Sequence, residues 1–327
     1  MDRLRTGSAL AAVFMLGAAA VAAQSPLQPP QSPVFKSSTS LVALNVIVTD
    51  NKQQYESGLS RDDFEVYEDG VRQEVEFFAA ADVPLDLILL IDGSSSMTDK
   101  VSFVRTAAAG FIGTMGRDDR AAVISFADGV RVLQPLTSDR ALIGAAIEQT
   151  GAKGATALHN AIYVALKEFG RRASSAGDVR RQAIAVLSDG EDTSSLLSFE
   201  DVLDMAKRSG VSIYTIGLRG EMGGAAAPAK RYFSQSDFAM KQLATETGAV
   251  PFFPERVADL GGVYAAIATE LASQYSIGYV PRNVRGDGKY RRVIVRVANR
   301  PELKPRTRTG YFLAADTLVA GTIDQER

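Results

Sequence analysis

The sequence predicts an α/β fold, a doubly wound, mostly parallel sheet with helices on both faces. It also predicts a discontinuous β-sandwich-like domain contributed by both ends of the chain. Three observations carry this. Between Pro84 and Gln274, short apolar runs alternate with stretches of helical spacing, the pattern of strand-helix-strand units. Two of those runs, Leu85 to Ile91 and Ala183 to Leu187, have the apolar character of strands covered on both faces. Outside the block, residues 39–82 and 275–313 are strand-like, with Val293, Val295 and Val297 alternating against Arg292 and Arg296.

The elements follow in order. Residues 1–23 read as an export signal: Arg3 and Arg5, an apolar run from Ala9 to Ala20, and small residues at Val21-Ala22-Ala23. The expected location is therefore periplasmic or secreted. Residues 24–38, with Pro26, Pro29 and Pro30, read as a tether. Residues 39–82 supply the first β segment: strands over Leu41 to Val48, Phe64 to Tyr67 and Val71 to Phe78, with Asp69-Gly70 as the hairpin signal. The α/β block at 84–274 has strands at Leu85 to Ile91, Ala121 to Phe126, Arg131 to Leu136, Ala183 to Leu187, Val211 to Ile216 and Val250 to Phe253. Its helices are expected at Val101 to Met115, Ala141 to Ile147, Leu158 to Phe169, Phe199 to Arg208, Phe238 to Thr247 and Val257 to Ser273. Gly210 and Gly248 stand where helices end. Gly220 to Ala229 reads as a loop. Residues 275–313 form the second β segment and 314–327 a weakly patterned tail.

Charge and composition narrow the function. The net charge is -2 over 327 residues, which favours neither nucleic acid nor an acidic lipid surface. No later stretch is long and apolar enough to form a transmembrane helix. The chain has no cysteine, which excludes disulfides, thiolate metal sites and a thiol nucleophile. Asp50 to Asp82 holds ten acidic and three basic residues, and Arg282 to Arg308 ten basic and two acidic. This complementarity supports packing the two β segments into one domain. A basic patch for an anionic polymer is the alternative.

The chemistry gathers at strand ends. The first strand of the block runs into Asp92-Gly93-Ser94-Ser95-Ser96, and the central one into Ser188-Asp189-Gly190. Between them, Gly151 to Leu158 forms a glycine-rich loop with Thr156 just before a helix. Ligands of open α/β sheets sit at such carboxyl ends. Oxygen-only groups suit Mg²⁺, with Mn²⁺ or Ca²⁺ as alternatives, and disfavour zinc or copper. Two carboxylates and neutral hydroxyls would leave a bound cation electrophilic and able to accept an outside carboxylate.

Asp92-Gly93-Ser94-Ser95-Ser96 matches the D-x-S-x-S motif of von Willebrand factor type A (VWA) domains. Gly154-Ala155-Thr156-Ala157-Leu158 resembles their threonine loop, and Leu187-Ser188-Asp189-Gly190-Glu191-Asp192 their second aspartate loop. The three occur in the family's order, and the resemblance covers residues 84–274. It implies a metal-ion-dependent adhesion site (MIDAS) at Asp92, Ser94, Ser96, Thr156 and Asp189. The two serines would coordinate directly; the threonine and aspartates would do so directly or through water. It implies no catalytic residue and a protein partner supplying a carboxylate. In the family, ligand binding can move the last helix, here Val257 to Ser273. Ser95 and Ala155 replace common glycines. The β segments resemble those flanking the A domain in a group of exported bacterial proteins.

Other readings stand beside these. The serines and aspartates could cap helices. Asp99, Glu191 and Asp192 read as solvated loop charges, and His159 as a surface or packing residue. A Mg²⁺-dependent hydrolase or phosphatase is the rival class, although the sequence has no Walker loop, no G-x-S-x-G elbow and no Rossmann glycine fingerprint. A structural assembly subunit with a vestigial metal site is a third.

Overall fold

The computed structural model describes residues 41–312, except 81–82, 173–179, 190, 219–233, 284 and 286. The expected signal at 1–23, tether at 24–38, loop at 220–229 and tail at 314–327 lie outside the described residues.

The first β segment forms β1 (Val42–Thr49), β2 (Phe64–Glu68), β3 (Val71–Gln73) and β4 (Val75–Ala80). The α/β block follows with β5 (Leu85–Asp92), α1 (Val101–Gly113), β6 (Arg120–Phe126), β7 (Val130–Thr137), α2 (Arg140–Glu148) and α3 (Leu158–Arg172). It continues through β8 (Arg181–Ser188), α4 (Phe199–Ser209), β9 (Ser212–Gly217), α5 (Gln235–Glu246), β10 (Pro251–Phe252) and α6 (Leu260–Ala272). The second β segment forms β11 (Tyr275–Tyr279), β12 (Tyr290–Val297), β13 (Lys304–Arg306) and β14 (Gly310–Phe312).

The central sheet has the order β10-β9-β8-β5-β6-β7. All its pairings are parallel except the β6–β7 hairpin. Both faces are covered, so β5 is buried at every position. Leu87, Leu89 and Ile91 pack under α1, α2 and α6, whereas Ile88 and Leu90 pack under α3 and α4. Burying each such side chain contributes about 1.5–3 kcal/mol. The chain leaves β5 toward β6 on one side and reaches β8 on the other, so the strand order switches at β5. That switch point is where open α/β sheets leave a crevice for ligands.

Local signals set the helix ends. Asp139 accepts from the backbone N–H groups of Ala141 and Leu142 at the start of α2. Ser198 with Asp201, and Ser234 with Asp237, form capping boxes on α4 and α5. Gly210 ends α4 in the left-handed region, at φ +73°. The expected helix Val257 to Ser273 begins instead with a 3₁₀ turn at Val257–Asp259 before α6, a common tightening of a helix end.

The two β segments form a sandwich of antiparallel sheets ordered β13-β1-β11-β4 and β14-β12-β2-β3. β11 lies between β1 and β4, and β12 beside β2, so each sheet needs both segments. The stretch Val71 to Phe78, expected as one strand, divides at Glu74 because β3 pairs with β2 in one sheet and β4 with β11 in the other. The two sheets share one core, in which Leu44, Val46 and Ile277 of the first cluster with Phe64, Val66 and Val295 of the second.

A buried carboxylate joins the segments. Glu68 Oε1 accepts from Arg291 Nη1 at 3.0 Å, with both side chains only 3% exposed. Its Oε2 accepts from Tyr279 and Tyr311 hydroxyls at 2.8 and 2.7 Å. A second cross-segment pair, Arg300 to Glu56 at 2.8 Å, is partly exposed. The charge complementarity of the two segments is thus realised in named pairs.

Candidate metal centre

The carboxyl end of β5 delivers Asp92, which is 1% exposed. Its Oδ1 accepts from the Ser94 N–H at 2.8 Å and its Oδ2 from the Ser188 hydroxyl at 2.6 Å. Among the described residues it forms no ion pair with a basic side chain. Burial pushes its carboxyl above the usual range, against the pull of the Ser188 and Ser94 hydrogen bonds; the nearby Asp189 pushes the same way as burial.

Gly93 makes the turn out of the strand. A Cβ there would stand 2.7 Å from the Gly151 carbonyl, so this close approach of two loops requires glycine. The Gly93 N–H donates to Phe126 O at 2.7 Å, and its carbonyl accepts from Lys153 N at 2.6 Å. Ser94 and Ser96 then lie with their hydroxyl oxygens 2.9 Å apart.

The threonine loop is latched onto this turn. Ser95 N donates to Gly154 O at 2.9 Å, and Gly154 N donates to Ser95 Oγ at 2.9 Å. Asp128 accepts from Ala155 N at 2.7 Å. Thr156 is buried; its N–H donates to Thr193 Oγ1 at 3.0 Å, and its carbonyl accepts from Thr193 and Ser194. Its hydroxyl makes no hydrogen bond with any described residue. Asp189 follows β8 directly, and its carboxylate lies 3.9 Å from Lys100 Nζ.

These groups fit a divalent cation. Neighbouring ligands of an octahedral Mg²⁺ stand roughly 2.9 Å apart, given bonds of about 2.0–2.1 Å. The Ser94–Ser96 oxygen separation agrees with that edge. Thr156 offers a hydroxyl with no partner among the described residues. Among those residues, no group of three or more His, Asp or Glu side chains is placed to hold a metal. The donor set here is instead three hydroxyls and two carboxylates.

Several contributors were not singled out in the sequence. Ser188 orients Asp92, and its place at the end of β8, one residue before Asp189, was the available signal. Ser95 is a latch for the threonine loop, and Asp128 holds that loop from the β6–β7 turn. Asp192, expected as a solvated charge, is a structural acceptor. It takes hydrogen bonds from His159 N at 2.8 Å and Ser195 N at 3.0 Å, at the start of α3. Burial pushes its carboxyl up, but these hydrogen bonds together hold it below the usual range. Asp99 and Glu191 are exposed. His159 is packed between Asp192, the Leu197 carbonyl and the Phe199 ring.

The fold and this edge define a doubly wound domain with a hydroxyl-rich acidic site at its switch point. The model of the von Willebrand factor type A domain matches residues 86–262, more than half of the chain, and the chain belongs to that family. An uncharacterized protein of Synechocystis sp. is 32% identical over 113 residues, which are 34% of this chain and 26% of that protein. The chain therefore matches about a quarter of that relative's length. Among solved structures, a von Willebrand factor type A protein of Catenulispora acidiphila is similar at 14% identity and a TM-score of 0.49, covering 86% of this chain and 75% of that one. An aerotolerance-related membrane protein of Bacteroides fragilis is similar at 19% identity and a TM-score of 0.45, covering 57% of this chain and 98% of that one. These likenesses concern the fold alone.

Proposed function

We propose that this chain is an exported, non-catalytic binding protein that holds a divalent cation at the carboxyl edge of its VWA sheet and through it an acidic group of a partner protein. The observation that carries this is the pair of serine hydroxyls 2.9 Å apart, beside a buried carboxylate with no basic partner among the described residues. Ser94, Ser96 and Thr156 would supply neutral oxygens. Asp92 and Asp189 would supply the negative charge, directly or through water. Mg²⁺ suits these donors, with Mn²⁺ or Ca²⁺ as alternatives. When bound, the cation supplies an electrophilic centre on which an outside carboxylate can sit. The protein's own groups do the rest: Ser188 and the Ser94 N–H hold Asp92, and Ser95 and Asp128 hold the threonine loop.

The rim supports a protein partner. Leu196, on the loop after β8, is 95% exposed, and its backbone is held by the Asn160 side chain. An exposed leucine on a held loop beside an ion site offers the apolar contact that flanks a charged anchor in protein interfaces.

The test is capture of the partner from the native envelope with and without EDTA. Wild type should retain it only with metal, Thr156→Ala should lose it, and Leu196→Ser should weaken it. Capture that ignores EDTA and Thr156→Ala would overturn the reading. N-terminal sequencing of native material should begin near Gln24; a chain retaining Met1 would overturn export.

A further inference from the structure

Away from the metal centre, buried carboxylates of the described residues meet arginines. Glu68 holds Arg291 at 3.0 Å, and Glu270 holds Arg306 at 2.7 Å. Asp86 holds both Arg120 and Arg180, at 2.6 and 2.7 Å. Arginines without such a partner gather in an open cleft of about 400 Å³ between the base of the VWA domain and the sandwich.

Among the described residues, four arginines and no carboxylate line it: Arg180, Arg181, Arg208 and Arg308. Arg180 is engaged by Asp86. Arg181 donates to the carbonyls of Val83 and Leu271 and forms no ion pair among the described residues. Arg308 donates a hydrogen bond from Nη2 to Ala43 O at 2.9 Å. Its Nε is shielded from solvent and has no acceptor. Arg208, at the end of α4, is exposed and lies 4.0 Å over the Phe312 ring, without an ion pair among the described residues.

Shielding a guanidinium without a counter-charge is costly, and an unsatisfied N–H calls for a partner. Burial pushes the Arg308 guanidinium down, and no carboxylate opposes the effect. The position of Arg308 is set by backbone. A Cβ on Gly248 would stand 2.5 Å from its N, and one on Gly210 would stand 3.1 Å from its Nη1. Both glycines take positive φ. The Arg308 backbone thus packs against Gly248 and its Nη1 against Gly210, and the residue lines the cleft. Leu41 and Phe77 also line it; both pack beside Gly278 of β11, and Leu41 is 47% exposed.

We propose that this cleft is a second ligand site, separate from the metal centre, which takes an oxyanion on Arg208 and Arg308 and an adjoining apolar group against Leu41 and Phe77. Planar guanidiniums recognise carboxylate and phosphate alike. The shared chemistry is therefore an amphiphilic oxyanion, an organic carboxylate or a phosphate ester.

Calorimetric titration of the full chain at low salt, with hexanoate, hexyl phosphate and 1-hexanol as probes, tests this. At least one of the two anions should bind, and which one binds tighter identifies the source class; hexanol should not bind. Arg208→Gln, an exposed substitution, should weaken the anion at least about tenfold, the effect of one charge-assisted contact. Arg308→Lys, which keeps the charge and loses the planar fork, should also weaken it. No anion binding by wild type, hexanol binding as well as the anions, or equal binding by wild type and Arg208→Gln would overturn the proposal.

Discussion

Two carboxylates are buried almost equally in this chain and are treated in opposite ways. Glu68, in the sandwich, is 3% exposed and meets Arg291 and two tyrosine hydroxyls. Asp92, at the sheet edge, is 1% exposed and accepts from one N–H and one hydroxyl. The first charge is neutralised within the chain and serves to join two sequence-distant segments. Among the described residues, the second meets only neutral donors. On the proposed function, the difference separates a structural ion pair from a site that would take a cation from outside.

The comparison predicts unequal costs. Glu68→Ala strands Arg291 in the sandwich and should cost about 3–5 kcal/mol. Asp92→Asn strands no charged partner and should change metal-free stability by less than about 1 kcal/mol. Urea unfolding followed by circular dichroism checks both, and similar losses for the two variants would erase the distinction. Arg306→Met comes next. It leaves Glu270, 3% exposed, with the Tyr55 hydroxyl at 3.4 Å as its hydrogen-bond contact from the sandwich. A cost of about 2–3 kcal/mol is expected. Because α6 runs through Gln274 into β11, that variant should also raise amide exchange in the last turn of α6.

A smaller cost than that of Arg306→Met belongs to Asp192. Its removal should cost about 1 kcal/mol, the worth of a helix-capping acceptor. Its carboxyl is held below its usual value in the folded chain. Its contribution is therefore present above the ordinary carboxylate range and lost as pH falls through the lower, folded value. Unfolding midpoints of wild type and Asp192→Ala should converge as pH falls through that window; a difference that stays constant there would contradict the assignment.

What could be read from the sequence was what local pattern controls. Asp69-Gly70 announced the β2–β3 hairpin, and both residues take positive φ. Gly210 and Gly248 marked helix ends. Asp92, Ser94, Ser96, Thr156 and Asp189 could be named because each follows a strand or glycine-rich loop with a recognisable spacing. What escaped depends on distant partners. The break at Glu74 arises because β4 finds β11 about two hundred residues away, and nothing within Val71 to Phe78 signals it. Asp192 looked solvated because the N–H it accepts from belongs to His159, on a different loop-helix junction. Arg291 shares the two-residue phase of Val293, Val295 and Val297, so its inward position was visible. Its partner Glu68 was not, since pairing β2 with β12 is a property of the whole sandwich.

The central claim is that Asp92 and its neighbours hold a divalent cation, and titration calorimetry with Mg²⁺ and Mn²⁺ on wild type and Asp92→Ala tests it most directly. Wild type should bind one ion per chain and gain about 2.7 kcal/mol of stability at a hundredfold excess over the dissociation constant. Asp92→Ala should stay folded and show neither effect. Equal binding by the two proteins, or none by wild type at millimolar metal with the partner present, would contradict the account.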